Sequence, residues 1–276
     1  MLKRENNSGL RKYNTQPGKS TTVATSLNRA TVILSCLSND INTVTDIASY
    51  CNYSPSTVHR LLQSLKELTW AIQDDNNHRY YLGPMVTQLS SNQMAAHRYL
   101  VMQALREMIH ISDITEETVN LGIMIQLHYK LLHEIPSKHD LRITAESKRL
   151  GPLYIGATAK VLLSQLEDEE LKTTLKHIEF TYTTQNTVTD KNLLTEQIQE
   201  IRRQGYCVTY GERIPGAICV SAPIKNYLSP ASLSMVGLEN RLGPRIEEVI
   251  EELKASAGNI SRDIASAFNQ KEVVHG

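Results

Sequence analysis

From Leu27 onward apolar residues recur at helical spacing, with Leu27, Ala30, Ile33, Leu34 and Leu37 on one face. Asn39-Asp40 ends that stretch. Thr43, with Asp46 three residues on, has the form of an N-cap for a short helix through Val44, Ile47, Ala48 and Cys51. Asn52-Tyr53 predicts a tight turn. Ser54 then caps a third helix whose first position is Pro55, where a missing N–H costs nothing. Its apolar positions are Val58, Leu61, Leu62, Leu65 and Leu68. Two short extended runs follow, Trp70-Ala71-Ile72 and Arg79-Tyr80-Tyr81-Leu82, parted by the turn formers Asp74-Asp75-Asn76-Asn77. Three helices and a hairpin in this order are the plan of a winged helix-turn-helix.

Gly83-Pro84 punctuates the chain, and Met85 to about Met108 reads as one helix bridging two domains. Beyond Thr118 the period changes. Val119 to Ile125 and Tyr129 to Ile135 read as paired strands, and Leu141-Arg142-Ile143 as a further extended stretch. Gly156-Ala157 opens a helix through Leu162, Leu163 and Leu166. A second carries Glu167, Asp168, Glu169 and Glu170 in its first turn, where negative charge suits the helix dipole. Asn192 to Gln204 is helical and ends at Gly205. Tyr206–Thr209, Ile218–Ala222 and Leu233–Val236 read as strands, before a long amphipathic helix through Ile246, Val249, Ile250, Leu253, Ala257, Ile260 and Ile264. The fold class predicted is α+β with a mainly antiparallel sheet. The domain plan is a disordered polar tail at 1–22, a winged helix-turn-helix at 23–84, a linker helix at 85–108 and a second domain at 109–270.

Composition narrows the class. The chain has 276 residues, 41% of them hydrophobic, enough for a real core. No apolar run approaches the ~20 residues of a membrane span, and the N-terminus lacks the apolar stretch of a signal peptide. Cys36, Cys51, Cys207 and Cys219 are scattered with no close pair, which argues against a zinc site or a disulfide framework and fits a reducing cytoplasm. The net charge of zero hides an asymmetry: residues 1–100 are net +4 and the remainder net −4. A modestly basic N-terminal part suits an anionic polymer.

The third helix offers the chemistry for such a partner. Opposite its leucines stand Ser56, Thr57, His59, Arg60, Gln63, Ser64 and Lys66. In a helix-turn-helix the second helix of the motif enters the major groove of double-stranded DNA. Arg60 suits a two-point contact with guanine and Gln63 one with adenine. Ser56 and Thr57, in the first turn, suit phosphate or bases. His78 and Arg79 stand at the wing tip. Two blander readings compete: a merely solvated helix face, and an Arg60 salt bridge to Asp46.

These residues also carry a resemblance. Ser26-Leu27-Asn28-Arg29-Ala30, Ser56-Thr57-Val58-His59-Arg60-Leu61-Leu62 and Tyr80-Tyr81-Leu82-Gly83-Pro84 resemble the IclR family of bacterial regulators. So do Glu117-Thr118-Val119-Asn120-Leu121, Gly156-Ala157-Thr158-Ala159-Lys160-Val161-Leu162-Leu163, Arg202-Arg203-Gln204-Gly205-Tyr206 and Glu212-Arg213-Ile214-Pro215-Gly216-Ala217. No single motif decides, but seven in the family's order and spacing, over residues 25–268, are specific. The resemblance implies a GAF-like effector-binding domain. It also implies a homodimer or tetramer on a partly palindromic operator. Three positions depart from the pattern. Thr69 replaces a Gly before the wing, and a β-branched residue disfavours left-handed backbone, which bears on the local turn and not on the fold. Asn52 replaces another turn Gly more mildly. Ala159 stands where Gly is common.

For the effector, free N–H groups and the dipole at Gly156-Ala157 would hold a carboxylate. Carried over from the family, Thr209, Cys219, Ser234 and Val236 would line the same site. Gly156 serving only a turn, and Cys219 being an ordinary core residue, are the competing readings. Glu212 and Gly216 read as structural; Lys160 has the chemistry to tether an acidic ligand, but the helical pattern favours an exposed helix face. An enzyme with Cys219 as nucleophile and His128 or His133 as base is a distant rival, and a DNA-binding architectural protein without ligand a nearer one. The expectation is a cytoplasmic, non-enzymatic regulator of a catabolic operon, a repressor, that needs no metal or cofactor and senses a small carboxylic acid.

Overall fold

The structure, a computed structural model, describes residues 22–144 and 150–269. The tail expected at 1–22 lies outside them but for Thr22, as does residue 270 of the second domain. The chain divides into two compact units that part between Ala96 and His97.

In the first unit, α1 (Thr22–Ser38), α2 (Val44–Cys51) and α3 (Pro55–Glu67) precede a two-stranded antiparallel wing, β1 (Ala71–Gln73) and β2 (Tyr80–Leu82). Thr43 caps α2, its hydroxyl accepting from the Asp46 N–H at 3.1 Å, and Asn52 closes α2 in a left-handed conformation at φ 55°. Ile33, Leu37, Ile47, Val58, Leu62, Leu65 and Tyr80 form the core, so the periodic positions of three helices converge as the pattern demands. Leu27, read as part of that buried face, is instead exposed, lying in the early turns of α1. The cysteines are scattered in the sequence and all four are free thiols; packing of α1 on α2 brings Cys36 Sγ and Cys51 Sγ to 3.6 Å.

The single helix expected over 85–108 is broken into α4 (Pro84–Ser91), α5 (Gln93–Ala96) and α6 (Arg98–Thr115). Asn92 leaves helical geometry at ψ 89°, and its side-chain oxygen accepts from the Ala95 N–H at 3.2 Å. That is the local competition by which Asn ends helices.

The second unit is built on a six-stranded antiparallel sheet. Its strands are β3 (Thr118–Ile125), β4 (His128–Ile135), β5 (Leu150–Pro152), β6 (Cys207–Tyr210), β7 (Ala217–Ile224) and β8 (Ala231–Leu238), in the order β5-β4-β3-β8-β7-β6. The stretch Leu141-Arg142-Ile143, expected to be extended, joins no strand; the edge is taken by β5 instead. Alternation along β3 sends Val119, Leu121 and Ile123 to one face, where α6 and the long α11 (Ile246–Asn269) cover them. The other face carries α7 (Gly156–Leu163), α8 (Asp168–His177) and α9 (Lys191–Gln204), packed through Leu162, Leu163, Leu171, Leu194 and Ile198. A short α10 (Glu239–Leu242) follows β8. No described helix is long and apolar enough to cross a membrane.

Candidate functional site

The polar face of α3 is presented as its sequence predicts. Val58, Leu62 and Leu65 are buried, while Ser56, His59, Arg60 and Ser64 are exposed. Ser54 holds the helix start: its hydroxyl accepts from the Thr57 N–H and lies within hydrogen-bond distance of the Ser56 and Thr57 hydroxyls, at 3.1 and 2.8 Å. Among the described residues no ion pair joins Arg60 to Asp46, whose carboxylate accepts from the Thr43 hydroxyl at 2.7 Å. Gln63 is less available than expected. It is half-buried, and its amide donates to the Tyr80 hydroxyl at 3.3 Å, tying α3 to the wing. Arg79 is exposed beside the wing tip, where Asp74 accepts from the Asn76 N–H and the Asn77 side chain.

The second unit carries a cavity of about 120 Å³ between the sheet and the start of α7. Gly156, Ala157, Thr209, Cys219 and Val236 line it. Asn120, Tyr129, Glu212 and Arg213 line it too, and nothing in the sequence pattern marks them for a ligand. Cross-strand register explains the convergence, since Thr209 faces Cys219 across β6 and β7, and Cys219 faces Val236 across β7 and β8. Ser234 does not line the cavity. It lies two residues along β8 from Val236, opposite Ser221, and is buried, with its hydroxyl 2.8 Å from those of Thr158 and Ser221.

The start of α7 differs in one chemical respect from the expectation of free donors. Gly156, at φ +84° and with open space where a Cβ would stand, donates its N–H to the Glu212 carboxylate at 2.9 Å. Its glycine is required by backbone conformation, not by crowding. The Ala157 N–H donates to the Thr209 hydroxyl at 3.1 Å. The helix terminus thus already holds a carboxylate, one supplied by the chain. The same Glu212 forms an ion pair with Lys160, which is 1% exposed, so the reading of Lys160 as a surface residue is overturned. The backbone of Glu212 is fixed in turn, its carbonyl accepting from the hydroxyls of Thr187 and Thr184. Glu212 is structural, as its sequence reads; its buried partner Lys160 is the part that the sequence conceals.

Burial raises the Cys219 thiol above its ordinary pKa, only partly opposed by hydrogen bonds from Thr158 and Ala157. A thiol held in that direction is a poor nucleophile. No hydrogen bond among the described residues joins Cys219 to a histidine, the geometry that general-base activation needs. Tyr129 is likewise raised by burial, with the Arg213 guanidinium, which donates to its hydroxyl, pulling the other way. Among the described residues no cluster of three or more His, Cys, Asp or Glu side chains could hold a metal ion.

Comparison with known proteins bears on both units. Residues 92–262 match the family described as "Bacterial transcriptional regulator IclR C-terminal", and residues 26–75 match the "IclR helix-turn-helix domain". The chain is similar to the HTH-type transcriptional regulator KdgR of Escherichia coli (strain K12), at 29% identity over 66% of this chain and 68% of that one. It is 27% identical to the HTH-type transcriptional repressor AllR of Salmonella paratyphi A, over 88% of each chain. The crystal structure of Thermotoga maritima IclR superposes with a TM-score of 0.58 at 26% identity, over 87% of this chain and 99% of that one. With one match covering more than half of its length, and helix, wing and sheet arranged as described, the chain belongs to the IclR family of bacterial transcriptional regulators.

Proposed function

We propose that this chain is a cytoplasmic repressor of a catabolic operon whose hold on DNA changes when a small acid occupies the cavity of its second unit. The observation that carries the reading is the outer face of α3. It is a capped helix anchored by Val58, Leu62 and Leu65 that turns Ser56, His59 and Arg60 to solvent with no ion pair to Arg60 among the described residues. Such a helix, followed by a wing, is the docking geometry of a major-groove reader. Arg60 takes the guanine contact, Ser56 and Thr57 hold phosphate at the helix start, and Arg79 reaches backbone from the wing. Gln63 is a weaker base reader than its sequence position suggests, because it must leave Tyr80 to reach an adenine. A homodimer or tetramer presents paired helices to a partly palindromic operator. The repressor sense is supported by the similarity to AllR, itself named a repressor.

A gel-shift titration against the promoter region beside the gene tests the reading. The wild type binds specifically, and Arg60→Ala loses ~1–3 kcal/mol while discriminating less among operator variants. Specific binding that Arg60→Ala leaves undiminished removes α3 from the role.

A further inference from the structure

The first unit holds a pair of nucleophilic side chains that a DNA-reading helix does not use. Cys36, near the end of α1, and Cys51, the last residue of α2, keep their Sγ atoms 3.6 Å apart as free thiols. The sulfurs of a disulfide stand about 2.0 Å apart, so a movement of about 1.5 Å would join this pair. The other two cysteines meet no sulfur among the described residues: Cys207 Sγ faces the Val208 carbonyl and Cys219 Sγ the Thr158 hydroxyl. Cys36 is buried in the core, whereas Cys51 is half-buried and within reach of a small solute. The place of the pair gives it leverage. Cys51 is followed directly by the turn of the helix-turn-helix, with Asn52 at φ 55°, then Tyr53, then Ser54, the cap of α3. The first helix grips the same turn through Arg29, whose guanidinium stands over the Tyr53 ring at 5.4 Å from its centre. The two thiols therefore sit at the joint that sets where α3 begins.

We propose that Cys36 and Cys51 form a reversible oxidation site, a dithiol that a peroxide closes to a disulfide, and that closure draws the end of α2 toward α1 and weakens the hold of α3 on DNA. The chemistry balances within the pair and one molecule of hydrogen peroxide. The Cys51 thiolate attacks a peroxide oxygen and the O–O bond breaks. Cys51 becomes a sulfenic acid, and the released hydroxide leaves as water with the proton that the thiol gave up. The Cys36 thiolate then attacks the Cys51 sulfur. The S–S bond forms, the S–O bond breaks, and the departing hydroxide takes the Cys36 proton as a second water. The two sulfurs lose two electrons, which reduce the peroxide. Burial raises both thiols, Cys36 to about 12, so the pair stays reduced under mild conditions and closes under peroxide stress. A transient, sensing disulfide is the kind that a reducing cytoplasm permits. The effect on DNA rests on the reading of α3 as the groove-entering helix, whereas the oxidation itself does not. A recognition surface must be held to within about 0.5 Å, less than the movement that closure needs.

Peptide mapping and gel shifts on the full chain test this in three states: reduced, treated with hydrogen peroxide, and treated with peroxide and then dithiothreitol. Mapping finds Cys36 joined to Cys51 within one chain after peroxide, and parted again after dithiothreitol. Operator affinity falls by about tenfold or more on oxidation and returns on reduction. Cys51→Ser binds the operator as the reduced wild type does and keeps that affinity after peroxide. Cys36→Ala does the same, and the serine variant, at a half-buried position, carries the test should the change in the core fail to fold. Absence of the Cys36–Cys51 link, a link that leaves operator affinity unmoved, or a Cys51→Ser variant as sensitive to peroxide as the wild type overturns the proposal. The two levels separate cleanly. A reduced wild type that grips its operator while the link fails to form sinks this inference alone. One that ignores DNA sinks the regulator reading, and the mapping still decides the oxidation site.

Discussion

Lys160 is 1% exposed, and its ammonium meets the Glu212 carboxylate inside the second unit. Two charges out of water are tolerable only as a pair, and removing one leaves the other uncompensated, at a cost of about 3–5 kcal/mol. Glu212→Leu also strips the Gly156 N–H of its acceptor. We expect that variant to lose about that much in urea denaturation, and Lys160→Met with Glu212→Leu together to recover a substantial part of it. A double variant no more stable than the single would show that the loss comes from the freed Gly156 donor and the altered packing, and not from a stranded charge. The pair also marks what a sequence withholds. The partners lie 52 residues apart, and only the return of the loop after β6 to the start of α7 makes them neighbours. Along α7 alone, a lysine in a helical pattern reads as a surface residue. Asn120 is legible only as a polar interruption in an apolar strand; its role depends on which face of the sheet it occupies.

At the scale of elements, the turn between α3 and the wing holds an informative oddity. Thr69 adopts φ 59°, the left-handed region that its branched side chain disfavours. The turn keeps the form a glycine would give it because its neighbours fix it. The Trp70 N–H donates to the Leu65 carbonyl at 2.8 Å, the Thr69 N–H to Lys66 at 2.9 Å, and the Met85 N–H to Thr69 itself. Gly83 passes so near that a Cβ there would stand 2.2 Å from the Thr69 carbonyl oxygen. Left-handed backbone costs a residue with a Cβ roughly 1–2 kcal/mol, partly offset by the extra chain entropy of glycine. Thr69→Gly therefore raises the stability of the first unit by ~0.5–1 kcal/mol. A thermal melt showing no gain would mean that the threonine methyl supplies packing worth the strain. The sequence places α1 to α3 and the wing well, because caps such as Thr43, Ser54 and Asn52 act within a few residues of themselves. It misleads where neighbours decide. A bridging helix is broken by one Asn92 side chain, and the edge strand is β5 and not Leu141–Ile143, a choice made by pairing with β4.

Over the whole molecule, the described residues bury three main apolar clusters, and none is shared between the two units. Ile33, Leu62 and Tyr80 belong to the first unit alone, whereas Leu121 with Leu253 and Leu162 with Ile198 belong to the second. A unit that owns its core can unfold by itself, and two such units need not melt as one transition. Leu62 is fully buried in the first core, so Leu62→Ala costs about 2–5 kcal/mol there. For a domain of this size such a loss lowers the melting temperature by roughly 10 °C or more. Scanning calorimetry of the full chain should then show the transition of the first unit moving down while that of the second stays in place. A ligand of the cavity should do the converse, raising the second transition alone by mass action. If Leu62→Ala instead drags both transitions down together, the units form one cooperative block. Ligand and DNA would then be coupled through shared stability, and not through a change in how two independently folded bodies are used.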